Sequence, residues 1–382
     1  MYDVATHGAM IADKIRFSTY VEALRRYVTP GSVVLDLGAG IGPFSILACQ
    51  MGARRVYAIE PAAAIQVARE IARDNGYSDR IEFIQNLSTE VTLPEQADVI
   101  ISDLRGVLPF CGNSVGSVVD ARKRLLAPNG HLIGQRDSLW AVLVEAPKTY
   151  AEFISPWAAS VYNVDYRSAQ NIVLNTWQKK RATTDKLLVE PMCWATLDYT
   201  TIEKNNVHAD IHWTVEQAGT VHGLRVWFDT IVAEGLAFSN APTAPETIYG
   251  SAFFPLLESV VVAAGDQVLV SIHADLMGYD YVWRWETKVM RGGEPMTVIA
   301  DFKQSTFIGT PTSLAQLLKR ADSYVPMLSD DGKIDSYLLT QMDGMASTEE
   351  LAEQIREHYP NRFATADDAL TRVANLVERY SS

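Results

Sequence analysis

The spacing of apolar positions changes character twice along the chain. From Val33 to about Gly134, short apolar runs alternate with stretches whose apolar residues recur every three or four positions. This pattern predicts strands over 33–37, 55–59, 81–85, 97–102 and 131–134, and helices over 44–51, 62–75 and 115–126. Strands alternating with helices predict a doubly wound parallel sheet, a Rossmann-like α/β domain. After Asp137 the period shortens to two, in Val207–Trp213, Leu224–Phe228, Gln267–Ile272 and Tyr281–Trp285. The expectation there is an all-β module of about 170 residues. Beyond Gly309 the helical period returns. Ser347-Thr348-Glu349-Glu350 reads as a capping box opening a helix to Tyr359, before Pro360. Thr365-x-x-Asp368 opens another, with Leu370, Val373, Leu376, Val377 and Tyr380 on one face. The expected domains are 1–136, 137–308 and 309–382.

Composition narrows the class. The chain has 382 residues, 48% hydrophobic, with a mean hydropathy near zero, as expected of a soluble globular protein. No apolar run approaches the ~20 residues that cross a bilayer; the stretch Ser259–Ile272 is broken by Gly265 and Asp266. No charged-then-apolar leader opens the chain, so no membrane partner or export is expected. A net charge of −13 argues against nucleic acid as a partner, and residues 320–382 carry 6 Lys/Arg against 12 Asp/Glu. Cys49, Cys111 and Cys193 are far apart and form no disulfide or zinc pattern, as in a cytoplasmic protein. His208, His212 and His222 lie on predicted strands without metal-like partners, so no metal is expected.

Candidate chemistry is concentrated in Val33-Val34-Leu35-Asp36-Leu37-Gly38-Ala39-Gly40-Ile41-Gly42. An apolar strand ends in an acid, and three glycines follow at alternate positions, where backbone can approach a ligand closely. The next strand ends in Glu60, 18 positions after Gly42, placed to accept hydrogen bonds from ribose hydroxyls. Pro61 follows at the start of a helix, and the strand over 97–102 ends in Asp103. Ligands bind at the carboxyl ends of such strands, so Asp36, Glu60 and Asp103 are expected to meet in one crevice.

The D-x-G-x-G-x-G spacing resembles the nucleoside loop of class I S-adenosylmethionine (SAM) methyltransferases. His7-x-x-Met10-Ile11-x-Asp13-x-x-Arg16 resembles the N-terminal helix of protein arginine methyltransferases. Gly52–Glu60, Thr89–Pro94, Ala97–Asp103 and Ala121–Gly130 continue the likeness, which extends to about residue 308. The resemblance implies a SAM-binding domain followed by a β-barrel, with SAM as cofactor and S-adenosylhomocysteine (SAH) as product. It implies that Arg16 pairs with the SAM carboxylate and that Met10 packs near the sulfonium. Asp36, Gly38, Gly40 and Gly42 would line the methionine and ribose end, Glu60 with Pro61 beside it would hold the ribose, and Ser88 and Thr89 would meet adenine. It also implies a homodimer, with residues 168–190 as a dimerisation arm entered through Trp157–Asp165. The tail, from Pro326 to Gly344, resembles small winged-helix PqqD-like domains, which bind leader peptides.

The acceptor loop departs from the family pattern. Where relatives carry S-E-W-M-G and a second glutamate nine residues after the first, this chain reads Ser102-Asp103-Leu104-Arg105-Gly106, with Gly112 at the second position. The histidine of a T-H-W loop is missing near Ile248–Phe253. A guanidinium needs anions to offset its desolvation, and here one acid is shortened, one is absent, and Arg105 lies between. Two catalytic candidates emerge: Asp103, as substrate-orienting group or general base, and Arg105, as partner for a carboxylate, phosphate or carbonyl unless it pairs with Asp103. The expected function is methylation of a peptide or protein side chain other than arginine. Methylation of a small, perhaps anionic, metabolite and a catalytically inactive SAM-binding scaffold remain as alternatives.

Overall fold

The computed structural model describes residues 4–158, 163–180, 185–293, 295–311, 313, 318–319 and 322–381. The chain separates into two compact units, Met1–Pro311 and Thr312–Ser382. The SAM-type domain and the β module expected from sequence therefore form one body.

In that body, helices α1 (Val4–Ala12) and α2 (Lys14–Tyr27) are separated at Asp13, whose carboxylate caps α2 by accepting the Arg16 N–H at 3.1 Å. Then come β1 (Val33–Leu37), α3 (Pro43–Gln50), β2 (Arg55–Ile59), α4 (Ala64–Asp74), β3 (Ile81–Ile84), β4 (Ala97–Ser102), α5 (Ser114–Arg124) and β5 (Leu126–Ile133). The five strands are parallel in the order β3-β2-β1-β4-β5. Every residue of β1 is buried, as a central parallel strand requires. Leu37 lies opposite Ile59 on one side and Ser102 on the other. The next residues of the three strands, Gly38, Glu60 and Asp103, therefore leave the sheet along one carboxyl edge. Helix α4 begins at Ala64 rather than Ala62, because Glu60 turns back to accept the Ala62 N–H at 2.9 Å.

The second half of the body contains β6 (Arg136–Glu145), α6 (Pro147–Ala158), α7 (Arg167–Val173), β7 (Gln178–Lys180), β8 (Lys186–Leu187), β9 (Met192–Asp198), β10 (Val207–Thr214), β11 (Gly219–Ala233), β12 (Leu236–Ser239), β13 (Ser251–Val262), β14 (Gln267–Met277), β15 (Asp280–Arg291) and β16 (Thr297–Ser305). A seven-stranded sheet runs β7-β13-β11-β6-β8, with β12 on β11 and β9 on β6, and a second sheet runs β10-β14-β15-β16. Sequence periodicity missed α6 and α7. Residues 168–190, expected as a projecting arm, contain α7 and two short strands that pair with β13 and β6. Residues 181–184 of that segment, and Val161 and Tyr162 of the entry motif, lie outside the described residues.

Residues 312–382 have a core of their own, formed by Ile334, Leu338, Leu351, Ala352, Ile355, Ala369, Val373 and Leu376. Its helices are α8 (Asp330–Gln341), α9 (Thr348–His358) and α10 (Ala366–Tyr380). Both expected capping boxes form, at Ser347 with Glu350 and at Thr365 with Asp368. The expected apolar face of α10 is only partly buried: Leu370 is 41% and Tyr380 55% exposed, and Ala369 takes the inner position instead. Among the described residues this unit has no strand, so the wing of a winged helix has no counterpart there.

Two separate cores predict that residues 1–311 fold without the tail. Truncation after Pro311 should leave one cooperative thermal transition at the melting temperature of that body in the full chain. Loss of the transition would show that the units depend on each other.

Candidate active site

The carboxyl edge of the parallel sheet opens into a cleft of about 320 Å³. His7, Met10, Arg16, Asp36, Gly38, Gly40, Phe44, Glu60, Asp103, Leu104, Arg105 and Tyr249 are among its walls. Sequence reasoning placed three acids here, and all three line this cleft.

The floor is built by the glycine turn. Gly38 and Gly40 have φ of +77° and +56°, a left-handed backbone that glycine adopts without strain. A Cβ on Gly38 would fall 2.3 Å from Leu104 Cδ2, and one on Gly40 2.6 Å from His7 Cε1. Glu60 fixes this turn by accepting the Gly40 N–H at 3.0 Å. Gly42 lies off the cleft: it caps α3, and a Cβ there would come 3.1 Å from Ala68 Cβ, so its requirement is helix packing.

Asp36 is buried and accepts from Ser45 Oγ at 2.6 Å. Burial pushes its carboxyl up to about 6, against the Ser45 hydrogen bonds and with Glu60 adding to the rise. Besides Gly42, three expected cofactor contacts fall outside the cleft walls. Pro61 is exposed in the bend before α4, while Ser88 and Thr89 form a short 3-10 turn, Ser88 buried with its carbonyl on Arg124 and Thr89 exposed. Leu87, one residue earlier, takes the wall position.

At the opposite end Arg16, Asp103, Arg105 and Asp137 form a buried chain of alternating charge. Arg16 holds Asp103 Oδ2 through Nε and Nη2, both at 2.5 Å, and donates through Nη1 to the Met10 carbonyl at 3.1 Å. Arg105 donates from Nη1 to Asp103 Oδ1 at 2.8 Å, from Nε to Asp137 Oδ2 at 2.8 Å and from Nη2 to Thr230 Oγ1 at 3.1 Å. The Tyr249 hydroxyl lies 2.8 and 2.6 Å from the two Asp103 oxygens, and the Tyr199 hydroxyl donates to Asp137 at 2.7 Å. Tyr20 completes the cluster, accepting from Arg105 and facing Asp103 Oδ1 at 3.2 Å.

This wiring realises the pairing of Arg105 with Asp103 that the sequence left open, and it bears on both catalytic candidates. Burial alone would raise the Asp103 carboxyl, but Arg16 and Arg105 outweigh it and hold it at about 2. A carboxylate so strongly held is a poor general base. Arg105 is 6% exposed and engaged on all three nitrogens, so it is not free to receive an anion. Asp13, caught at once by α2 and by the Ile248 N–H at 2.7 Å, ties the N-terminal helices to the loop before Tyr249.

Sequence reasoning missed Tyr20, Tyr249, Tyr199 and Asp137. Tyr20 follows Arg16 by one helical turn, a spacing that placed it on the same face. Tyr249 stood in the loop noted only for its missing histidine. Tyr199 and Asp137 carried no local signal.

Comparison with known proteins agrees with this geometry. Residues 135–287 match the arginine methyltransferase oligomerization subdomain, and residues 18–133 match the ribosomal protein L11 methyltransferase family. Protein arginine N-methyltransferase 6 of Danio rerio is 30% identical over 284 residues, covering 70% of this chain and 80% of that protein. The chain belongs to the protein arginine methyltransferase family. A probable protein arginine N-methyltransferase 6 of Arabidopsis thaliana is also 30% identical, over 65% of this chain; the chain spans only 59% of that relative's length. Among solved structures, the Trypanosoma brucei PRMT1 enzyme–prozyme heterotetrameric complex with AdoHcy superposes with a TM-score of 0.69 at 22% identity, over 79% of this chain and 98% of that one. Arabidopsis thaliana protein arginine methyltransferase 10 gives 0.68 at 20%, over 79% and 97%. Both show that the parallel sheet followed by antiparallel sheets is the family's fold.

Two predictions follow from the charges. Asp103→Asn would leave two buried guanidiniums short of their counter-charge, and it should cost about 3–5 kcal/mol of unfolding free energy by chemical denaturation. Asp36 has the opposite sign. Its folded-state value lies above the unfolded one, so its contribution is fully present below about pH 4 and is lost as pH rises through 6. Asp36→Asn should therefore raise the melting temperature of the ligand-free protein at pH 8 and leave it nearly unchanged at pH 4. An equal shift at both would remove burial as the cause.

Proposed function

We propose that the chain transfers the methyl group of SAM to a peptide or protein side chain other than the arginine guanidinium. The observation that carries this reading is the cleft itself: a glycine cradle at the sheet's carboxyl edge, ribose-competent Glu60 at one end, and at the other an acid already neutralised by two arginines. When bound, SAM supplies an activated methyl group, whose transfer to an acceptor heteroatom returns an electron pair to sulfur and leaves SAH as the acceptor's proton passes to solvent.

The residues fit that cofactor. Gly38 and Gly40 turn the backbone along the cleft wall in a left-handed conformation, packed so closely against Leu104 and His7 that neither could carry a side chain. Glu60 keeps acceptor capacity toward the cleft beyond its two backbone bonds, enough for ribose hydroxyls. Asp36 offers a buried carboxylate that a neighbouring cationic ligand drives toward its ionised form. Arg16, on the cleft wall, would meet the ligand's carboxylate by exchanging an Asp103 oxygen for it. Methyl transfer asks the protein mainly for alignment, so a strong base at Asp103 is not required.

The substrate reading is supported by the acceptor end. Asp103 has no uncompensated charge to offer a guanidinium, and Gly112, where relatives carry a second glutamate, has φ +52°. The metabolite alternative loses its anchor, because Arg105 is occupied. We place dimerisation in residues 135–287, on the match to the oligomerization subdomain, and peptide recruitment in residues 312–382. That tail has Val325 and Met327 86% and 88% exposed in an extended stretch. We place the protein in the cytoplasm, where free Cys49, Cys111 and Cys193 stay reduced; among the described residues no helix is long and apolar enough to cross a membrane.

The test is transfer of labelled methyl from SAM into size-fractionated lysate, with Glu60→Ala as control. Glu60-dependent label on polypeptide, found after digestion on residues other than arginine, is the expected result. Label on arginine, or only on small molecules, would overturn the substrate reading. Absence of SAH binding by calorimetry would overturn the cofactor reading.

A further inference from the structure

Two arginines hold Asp103, and their situations differ. Among the described residues Arg16 has guanidinium hydrogen bonds only to Asp103, Tyr249 and the Met10 carbonyl of the neighbouring helix, with the Tyr20 and Phe44 rings 5.7 Å from its guanidinium carbon, and one Asp103 oxygen is shared by its Nε and Nη2. It can trade that oxygen for another carboxylate without leaving its place. Arg105 has no such freedom. Its Nε is on Asp137 and its Nη2 on Thr230, both fully buried, and the rings of Tyr199 and Phe228 lie 5.9 Å from its guanidinium carbon. Whatever Arg16 does, Arg105 remains against Asp103 Oδ1.

Among the described residues the other walls of the acceptor end carry no charge, and Asp280 behind Cys111 is not one of the walls. Cys111, Asn113, Ser114, Ser117, Tyr249 and Tyr279 line it, all uncharged. The two other acids on the walls, Asp36 and Glu60, belong to the glycine cradle. With Arg16 drawn to a ligand carboxylate, Asp103 still has Arg105 as its counter-charge, so a cationic side chain entering beside it meets a compensated carboxylate and must still shed its water.

We propose that Arg105 sets the specificity of this site by cancelling Asp103 permanently, so that the cleft accepts an uncharged acceptor side chain and excludes a guanidinium. The inference rests on the methyltransferase reading above and names the acceptor class within it. Arg105 acts through Asp103 and does not touch the acceptor, so its signature is a preference for charge rather than a general loss of binding.

The test compares agmatine with its carbamoyl analogue, which keeps the same ammonium and replaces the guanidinium by an uncharged urea, by nuclear magnetic resonance titration of the full chain saturated with SAH. Wild type should bind agmatine no more tightly than the carbamoyl analogue, including not at all. Arg105→Met combined with Asp137→Asn removes one charge of each sign and leaves Asp103 facing the cleft with Arg16 alone. If that variant keeps wild-type melting and SAH affinity, it should favour agmatine by about 10-fold or more. Arg105→Lys keeps the positive charge and should behave like wild type. Wild type favouring agmatine 10-fold, or a folded double variant with the wild-type ratio, would overturn the proposal. Should the double variant fail to fold, the wild-type ratio and Arg105→Lys still decide it. The SAH titration reports separately on the cofactor reading, so failure of one is not failure of the other.

Discussion

The buried chain Arg16–Asp103–Arg105–Asp137 is the interaction on which the architecture of the first body turns. Arg16 comes from α2, Asp103 and Arg105 from the loop after β4, and Asp137 from the start of β6. Tyr249 and Tyr199 reach in from loops of the β module. Five segments thus meet in one compensated cluster, and its alternating signs make burial tolerable. Such a cluster adds little net stability over an apolar core of the same shape, but losing any one member is expensive because its neighbour is left charged and dry. That asymmetry fixes the approach of the parallel sheet to the antiparallel one.

The same cluster decides the chemistry of the cleft. A sheet edge with three acids looks, from sequence, like a strongly anionic pocket. Folding divides those acids into different roles. Asp36 is buried with only a serine donor at hand and is held partly protonated near neutrality. Glu60 is spent partly on backbone N–H groups that shape the glycine turn. Asp103 is fully ionised but fully matched. Carboxylates at or near the ends of three adjacent strands become a buried acid, a turn-former with spare acceptors, and a paired anion.

The family's pattern of replacement makes physical sense in this frame. An arginine two residues after Asp103 requires its own partner, and Asp137 supplies it with Tyr199 on the same oxygen. Asp137 Oδ1 has no hydrogen-bond partner among the described residues. Tyr249, in the loop where relatives carry a histidine, gives Asp103 another neutral donor. Asp103, Arg105, Asp137 and Tyr249 therefore act as one compensated unit.

The sequence by itself determined the parallel sheet, its glycine turn, the meeting of Asp36, Glu60 and Asp103, and the capped helices of the tail. These follow from local periodicity, caps and turn chemistry, which need only near neighbours. The packed helices α6 and α7, the position of Leu87 in place of Ser88 and Thr89, and above all the partners of Asp103 and Arg105 were decided only in three dimensions. Tyr249 is 146 residues from Asp103 and Thr230 is 125 from Arg105. No pattern along the chain records which distant hydroxyl or carboxylate a buried charge will find. That pairing, rather than residue type, decides whether an acid at a strand end binds substrate or holds the protein together.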